Sequence, residues 1–186
     1  MLLSILICHL TNRKLLLERL MKCLQPQVDA ANEHGVICET IVEADSGEKT
    51  TGEKRNILLG KATGKVICYV DDDDFVNEQY VALILQAIRN NPEADCCELH
   101  GVMYRDFMAP KKFHHSLKNG PEWRQDPSTL TYLRGPNHLS PVRIELALKA
   151  GFDKITIGED RLYAQRLFPL LKSESPIDQV LYYYYA

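Results

Sequence analysis

Val66-Ile67-Cys68-Tyr69-Val70-Asp71-Asp72-Asp73-Asp74-Phe75 is a β-branched and apolar run that stops abruptly on four consecutive carboxylates. The apolar part has the length and composition of a buried strand. The aspartates that follow repel one another and raise one another's pKa values, so a fold that keeps them together usually supplies a cation or a substrate that needs them. Hard oxygen donors suit Mg²⁺ or Mn²⁺, which take one or two carboxylates and leave positions for substrate phosphates. This reading puts a metal–diphosphate site at the carboxyl end of a central strand, where open α/β sheets bind their ligands. The other reading is a solvated acidic turn that merely ends the strand.

Upstream of this stretch, residues 2–7 are an apolar run of strand length, and Cys8-His9-Leu10-Thr11-Asn12-Arg13 breaks it with polar residues. Leu17, Leu20, Met21 and Leu24 then recur at helical spacing, and Pro26 is expected to end the helix. Gly35 leads into a second strand over 36–44 that closes on Asp45-Ser46-Gly47. An acid at that point is placed to hydrogen-bond a nucleotide base or ribose, although Asp-Ser-Gly is also ordinary turn chemistry. Gly47 and Gly52 have the separation of a P-loop, but Glu53 stands where the lysine belongs and would repel a phosphate, so a P-loop is rejected. A short helix over 53–62, ending near Gly64, leads back to the central strand.

Downstream, Asn77 is read as the cap of a helix with Val81, Ile84, Leu85 and Ile88 on one face, stopped by Asn90-Asn91-Pro92. Residues 96–100 resemble one further strand. From 101 to 126 the signal is mixed: Met103-Tyr104-Arg105 can continue a sheet, while Pro110, Pro121 and the His114-His115 stretch suggest long loops, and Lys111, Lys112, His114, His115 and Lys118 form a basic patch. A short strand is predicted at 130–133 and a helix at 143–150, closed by Gly151. Glu159 and Asp160 open another helix, where its dipole alone accounts for two acids. The tyrosine-rich run 180–185 reads as a final strand.

At 186 residues, 45% apolar and 25% charged, the chain suits one globular domain spanning 1–186 with a sizeable core. A net charge of −3 gives no blanket attraction to nucleic acid or anionic membrane. The six cysteines show no paired C-x-x-C spacing, which argues for free thiols in a reducing, cytoplasmic setting and against zinc or a disulfide framework. The apolar N-terminal run is too short for a transmembrane helix and lacks the charged start of a signal peptide.

Taken in order, these pieces resemble the GT-A fold glycosyltransferases, in particular family 2, over nearly the whole chain. The resemblance rests on the first strand with Thr11-Asn12-Arg13, on 41–47 with Asp45, on Lys54-Arg55-Asn56, on 62–74, on Ala150-Gly151-Phe152-Asp153 and on Gly158-Glu159-Asp160. It implies an α/β, Rossmann-like single domain with a mostly parallel central sheet flanked by helices, 1–100 binding the nucleotide-sugar and 101–186 the acceptor. The implied activity is metal-dependent, inverting transfer from a nucleotide-diphosphate sugar, UDP-sugars foremost, to a hydroxyl of a glycan or other acceptor, with Mn²⁺ or Mg²⁺ as cofactor. By the same resemblance Asp71 and Asp73 hold the metal, Asp73 most directly, and Asp72 flanks them in the donor site. Asp45 contacts the base, Arg55 holds that side of the nucleotide, and Asp160 is the general base with Glu159 beside it or on the acceptor.

Two features depart from the family. Many members supply a third metal ligand, often a histidine, from the C-terminal part, and no histidine follows His138. His138 is open to metal ligation, acceptor binding or core packing, the last ranked first. The Q-x-x-R-W signature of processive polymerases is absent, so single addition is expected. The small size suggests a catalytic domain whose acceptor site a partner or homo-oligomer completes. Two rivals stand beside the transferase: a non-catalytic nucleotide-sugar or glycan-binding module, and a sugar nucleotidyltransferase, which would need a glycine-rich loop where Cys8 to Arg13 has no glycine.

Overall fold

The computed structural model describes residues 2–105 and 108–185. In chain order its elements are β1 (Leu3–Leu10), α1 (Lys14–Glu33), β2 (Cys38–Asp45), α2 (Thr51–Lys61), β3 (Val66–Tyr69), β4 (Phe75–Val76), α3 (Tyr80–Asn90) and β5 (Cys96–Cys97). There follow β6 (Leu99–Tyr104), β7 (Lys111–His115), β8 (Arg124–Gln125), β9 (Tyr132–Arg134), β10 (Val142–Arg143), α4 (Ile144–Ala150), α5 (Glu159–Leu167), β11 (Glu174–Ser175) and β12 (Val180–Tyr185).

The strands form two six-stranded sheets. The first has the order β11-β5-β10-β3-β1-β2, with β1 parallel to both β2 and β3. Only β10 runs against its neighbours. The mixed α/β fold with a mostly parallel central sheet is therefore as expected. Alternation along β1 distributes its apolar side chains to both faces. Leu3, Ile5 and Ile7 pack with Leu20, Leu24 and Val28 of α1 and with the Val81, Ile84, Leu85 and Ile88 stripe of α3. Leu6 joins Ile67, Tyr69, Leu58, Leu59, Tyr163 and Leu167 on the face covered by α2, α4 and α5. A sheet buried on both faces explains why β1 and β3 read as continuous apolar runs.

The second sheet has the order β4-β12-β6-β7-β9-β8. Met103 and Tyr104 continue a sheet in β6, but the loop reading of the basic stretch is corrected, because Lys111–His115 is a strand paired antiparallel with β6. Phe113 and His115 are buried while Lys112 is exposed, a period-two pattern that the run of positive charge masks. The run 96–100 is likewise not one strand. It breaks at Glu98, giving β5 to the first sheet and β6 to the second.

Three further expectations are corrected. Pro26 lies inside α1, which runs on to Glu33. Leu24 and Val28 are buried on either side of it, and Gln27 Nε2 donates to the Cys23 carbonyl at 3.0 Å, so packing outweighs the roughly 3 kcal/mol that an interior proline costs. Asn77 is not the cap of α3; Gln79 holds that position, and the Asn77 carboxamide oxygen accepts from the Gln79 N–H at 2.8 Å. The helix expected over 143–150 starts at Ile144, because Arg143 belongs with Val142 to β10, which bridges β3 and β5. Glu53, which excluded a P-loop, forms a reciprocal capping box with Thr50 at the start of α2. None of the described helices is long and apolar enough to cross a membrane.

The start of α2 is seated against 153–155 through Gly52, whose N–H donates to the Ile155 carbonyl at 3.0 Å. A Cβ at Gly52 would fall within 1.8 Å of the Asp153 carbonyl oxygen, a backbone atom with no freedom to yield. Gly52→Ala is therefore expected to cost about 1–3 kcal/mol. For a domain of this size that lowers the melting temperature by roughly 2–4 °C per kcal/mol, readable by differential scanning calorimetry.

Candidate functional site

Parallel pairing of β1 with β2 and β3 brings three carboxyl ends to one edge, with Leu10 opposite Asp45 and Leu6 opposite Tyr69. The four aspartates leave β3 at that edge and point alternately in two directions. Asp72 turns inward, where its carboxylate is 2.7 Å from His9 Nδ1 and accepts from Arg13 Nη1 at 3.2 Å. Asp74 is completely buried; it accepts from the Tyr182 hydroxyl at 2.7 Å and from the Tyr185 N–H at 2.8 Å. The same Tyr182 hydroxyl accepts from the Asp71 N–H at 3.0 Å. Asp71 and Asp73 face the opening instead. Asp73 pairs with Arg13 at 2.9 Å, and Asp71 with Arg55 at 3.1 Å, with His138 Nε2 3.5 Å away.

These surroundings separate the charge states of the cluster. Burial pushes the Asp71 carboxyl up, but the Arg55 guanidinium and His138 outweigh it and hold Asp71 well below the usual carboxylate range. Burial and the adjacent Asp71 charge push Asp73 up, with Arg13 opposing. For Asp74, burial and then Asp71 raise the pKa to about 8. The repulsion that four adjacent carboxylates imply is thus relieved by two arginines and by one retained proton.

On the neighbouring strand, Asp45 is buried with Lys54, its Oδ1 2.9 Å from Nζ. Lys54 also donates to the His9 carbonyl at 3.1 Å, and the N–H groups of Gly47 and Lys49 bind the same carboxylate. The hydrogen bond from Lys54, against the cost of burial, lowers the Asp45 pKa. Asp45 therefore orders the turn after β2 and ties it to α2. Arg55, only 4% exposed, lies between Asp71 and Glu159, with Nη1 3.5 Å from Glu159 Oε1. Its guanidinium carbon is 5.5 Å from the ring centres of both Tyr69 and Phe152. Asn56 completes the local frame by both donating to the Phe152 carbonyl and accepting from its N–H, at 2.8 and 3.0 Å.

Gly158 enters α5 in the left-handed region at φ 85°, which turns Glu159 inward and leaves Asp160 toward the cleft. Glu159 is buried, and burial raises its pKa although Arg55 opposes the shift. Asp160 is one-third exposed and 3.8 Å from Arg134 Nη1. Arg134, His115 and His138 are all buried around it. Burial and then the charge of Arg134 hold the His115 imidazole well below its ordinary pKa. Burial and then Arg55 lower His138, with Asp71 opposing. Both ring nitrogens of His138 lack a hydrogen-bond partner, so this histidine is buried as expected but is not satisfied as a core residue should be.

Two cavities meet here. One of about 400 Å³ is lined by His9, Arg13, Arg55, Asp71, Asp72 and Asp73 among others. The other, of about 280 Å³, is lined by Asp71, Trp123, Arg134, His138 and Asp160 among others. Asp71 and Tyr184 belong to both. A larger cavity of about 570 Å³ lies between α1 and α3, and Glu78 is the one carboxylate that lines it. The chemistry is concentrated at the paired cavities.

The structure brings Arg55, Asp71, Asp72, Asp73, Glu159 and Asp160 into one region, with Asp45 beside it behind Lys54. Sequence reading passed over His9, Lys54, Arg134 and Trp123 as parts of this site. Faint signals were present. Lys54 and Arg55 stand one helical turn before Leu58 and Leu59, on the buried face of α2. His9 continues the Leu3, Ile5, Ile7 face of β1.

Neither a protein-family model nor a curated protein matches this chain. Solved structures do. A fragment of S. aureus TarS, residues 1–349, superposes with a TM-score of 0.64 at 16% identity over 100% of this chain and 60% of the fragment. The same fragment in complex with UDP-GlcNAc gives a TM-score of 0.62 at 14% identity, covering 59% of that chain. A longer TarS structure gives 0.60 at 15% identity, of which this chain covers 37%. The likeness establishes a shared fold, and this chain spans about three-fifths of the fragment's length.

The retained proton on Asp74 has a measurable consequence. An aspartate whose folded pKa lies above its unfolded value binds its proton preferentially in the native state, so stability falls as pH rises from the ordinary aspartate range toward about 8. Asp74→Asn removes this dependence while leaving a neutral group for Tyr182 and Tyr185. Between pH 5 and pH 8 in EDTA, the parent is expected to lose at least about 1.4 kcal/mol relative to Asp74→Asn, measured by urea denaturation.

Proposed function

We propose that this chain is an inverting, metal-dependent glycosyltransferase that uses a nucleotide-diphosphate sugar, a UDP-sugar in the first instance. The observation that carries the reading is that Asp71 lines two adjoining cavities at once, one set with Arg13 and the carboxylate cluster, the other with Asp160. A transfer needs a donor and an acceptor to meet at one reacting carbon, and these cavities share a wall at the metal-binding candidate. The first draws chiefly on residues 1–100 and the second chiefly on 101–186, in keeping with a donor side and an acceptor side. The shared fold with TarS, a glycosyltransferase solved with UDP and with UDP-GlcNAc, supports the same reading.

The residues fit a divalent ion. Asp72 and Asp74 are buried, whereas Asp71 and Asp73, though paired with Arg55 and Arg13, stay part-exposed at the cleft and are the pair of hard oxygen donors that Mg²⁺ or Mn²⁺ uses alongside substrate phosphates. His138 Nε2 lies next to Asp71 without a hydrogen-bond partner. When bound, the ion offsets the charge that develops on the diphosphate leaving group. Arg13, part-exposed beside Asp73, adds a second positive group at the same cavity. Asp45, fixed by Lys54, holds the turn that meets the base, while Arg55 keeps Asp71 ionised and aimed.

Asp160 takes the proton from the acceptor hydroxyl as that oxygen attacks the anomeric carbon and the carbon–oxygen bond to the diphosphate breaks. Arg134 positions the Asp160 carboxylate, and Trp123, whose ring lies 4.8 Å from the Arg134 guanidinium carbon, walls the acceptor side. Glu159 is turned away toward Arg55 and acts as a positioning residue.

Melting temperature in the presence of UDP-, GDP-, CMP- and dTDP-sugars, each with and without Mn²⁺, tests the donor side. A metal-dependent rise with one nucleotide class, lost in Asp73→Ala, is expected; no rise with any donor overturns the donor assignment. Asp160→Asn is expected to retain the donor-dependent rise and to lose on the order of 10²- to 10⁴-fold in transfer rate. Normal transfer by Asp160→Asn overturns the base assignment.

A further inference from the structure

We propose that Glu98, His100 and His114 form a second metal site, for a borderline divalent cation of the Zn²⁺ class, on the face of the second sheet opposite the cleft. Phe113 and His115 of β7 line the acceptor-side cavity. His114, between them, therefore projects from the other face. The antiparallel register sets His100 directly across from His114, and their imidazoles stack at 3.9 Å between centroids with 10° between planes. Glu98 precedes His100 by two residues and adds a carboxylate. One donor atom from each of the three residues lies within 4.8 Å of the others.

Two of those atoms stand opposed without a bond. Glu98 Oε2 is 3.8 Å from His114 Nε2, too long for a hydrogen bond, and that nitrogen is buried with no partner among the described residues. A tetrahedral ion with bonds of 2.0–2.1 Å sets its ligand atoms about 3.4 Å apart; because an imidazole lone pair lies in its ring plane, the two stacked rings turn out of parallel to share the ion. The other carboxylate oxygen, Oε1, is already held by Lys118 Nζ at 2.9 Å and by the Ser116 hydroxyl at 3.4 Å. That is the kind of outer support that aims a ligating carboxylate. Two imidazoles and one carboxylate select Zn²⁺, Co²⁺ or Ni²⁺ over Mg²⁺ and Mn²⁺, in contrast to the all-oxygen pair at Asp71 and Asp73. Three protein ligands leave one position for water. Such an ion would join β6 to β7 behind the wall that carries Phe113 and His115.

The test is Zn²⁺ titration of the metal-stripped protein against a chromophoric chelator, with Co²⁺ absorption as a second readout. One Zn²⁺ is expected to bind with a raised melting temperature, and Co²⁺ to give the intense visible bands of a four- or five-coordinate site. His114→Ala and the milder His100→Gln are each expected to weaken Zn²⁺ binding by at least about tenfold, while Asp73→Asn leaves it unchanged. Melting in EDTA verifies that each variant is folded. If folded His100→Gln binds Zn²⁺ as tightly as the parent, or if Asp73→Asn is the variant that loses it, the site is not at Glu98, His100 and His114.

Discussion

A guanidinium taken almost wholly out of water is the constraint on which this architecture depends. Arg55 is 4% exposed and is met by Asp71 at 3.1 Å and Glu159 at 3.5 Å. Desolvating such a charge costs several kcal/mol unless opposite charges are held against it, and removing one partner of a buried pair typically costs about 3–5 kcal/mol. The three residues come from the second turn of α2, the turn just after β3 and the first turn of α5. Satisfying Arg55 therefore fixes those segments relative to one another, and Asn56 reinforces the arrangement by clamping Phe152.

The aspartate cluster follows the same logic. Residues 71–74 form a tight turn in which the Asp74 N–H donates to the Asp71 carbonyl at 3.2 Å, and within that turn the carboxylates of Asp72 and Asp74 are the buried ones. Asp72 is met by His9 and Arg13, and Asp74, whose pKa is raised, accepts from the Tyr182 hydroxyl. Asp71 and Asp73 are left at the cleft. Half of the cluster thus builds the wall and half is presented, and the tyrosine-rich β12 is part of that construction. Tyr182 bonds both the Asp71 N–H and Asp74 Oδ2, while β4, which follows Asp74 immediately, pairs with β12.

The second sheet then supplies what the first cannot. Parallel strands with helices on both faces leave an open edge at their carboxyl ends, and β6, β7 and β9 close one side of it with His115, Trp123 and Arg134 nearby. Its strands β6 and β7 carry His100, Lys112 and His114 on one face and Phe113 and His115 on the other. The result is a wall with a cleft side and an outer side.

The centre of the first sheet was legible in the chain, because β1 and β3 are buried on both faces and so read as apolar runs bounded by loop residues. The helix α3 was legible from apolar spacing and α5 from its acidic start, and the association of 71–74 with Arg55 and 159–160 from the order of short motifs. Sequence alone determined the α/β class and the short list of acidic residues, since burial and local turn chemistry act on near neighbours. Only tertiary structure decided which aspartates are structural, that Lys54 and Arg55 are buried, that Pro26 stays within α1, and that 111–115 is a strand. Each of those outcomes depends on partners far along the chain, whose packing and charge override what the local residues favour on their own.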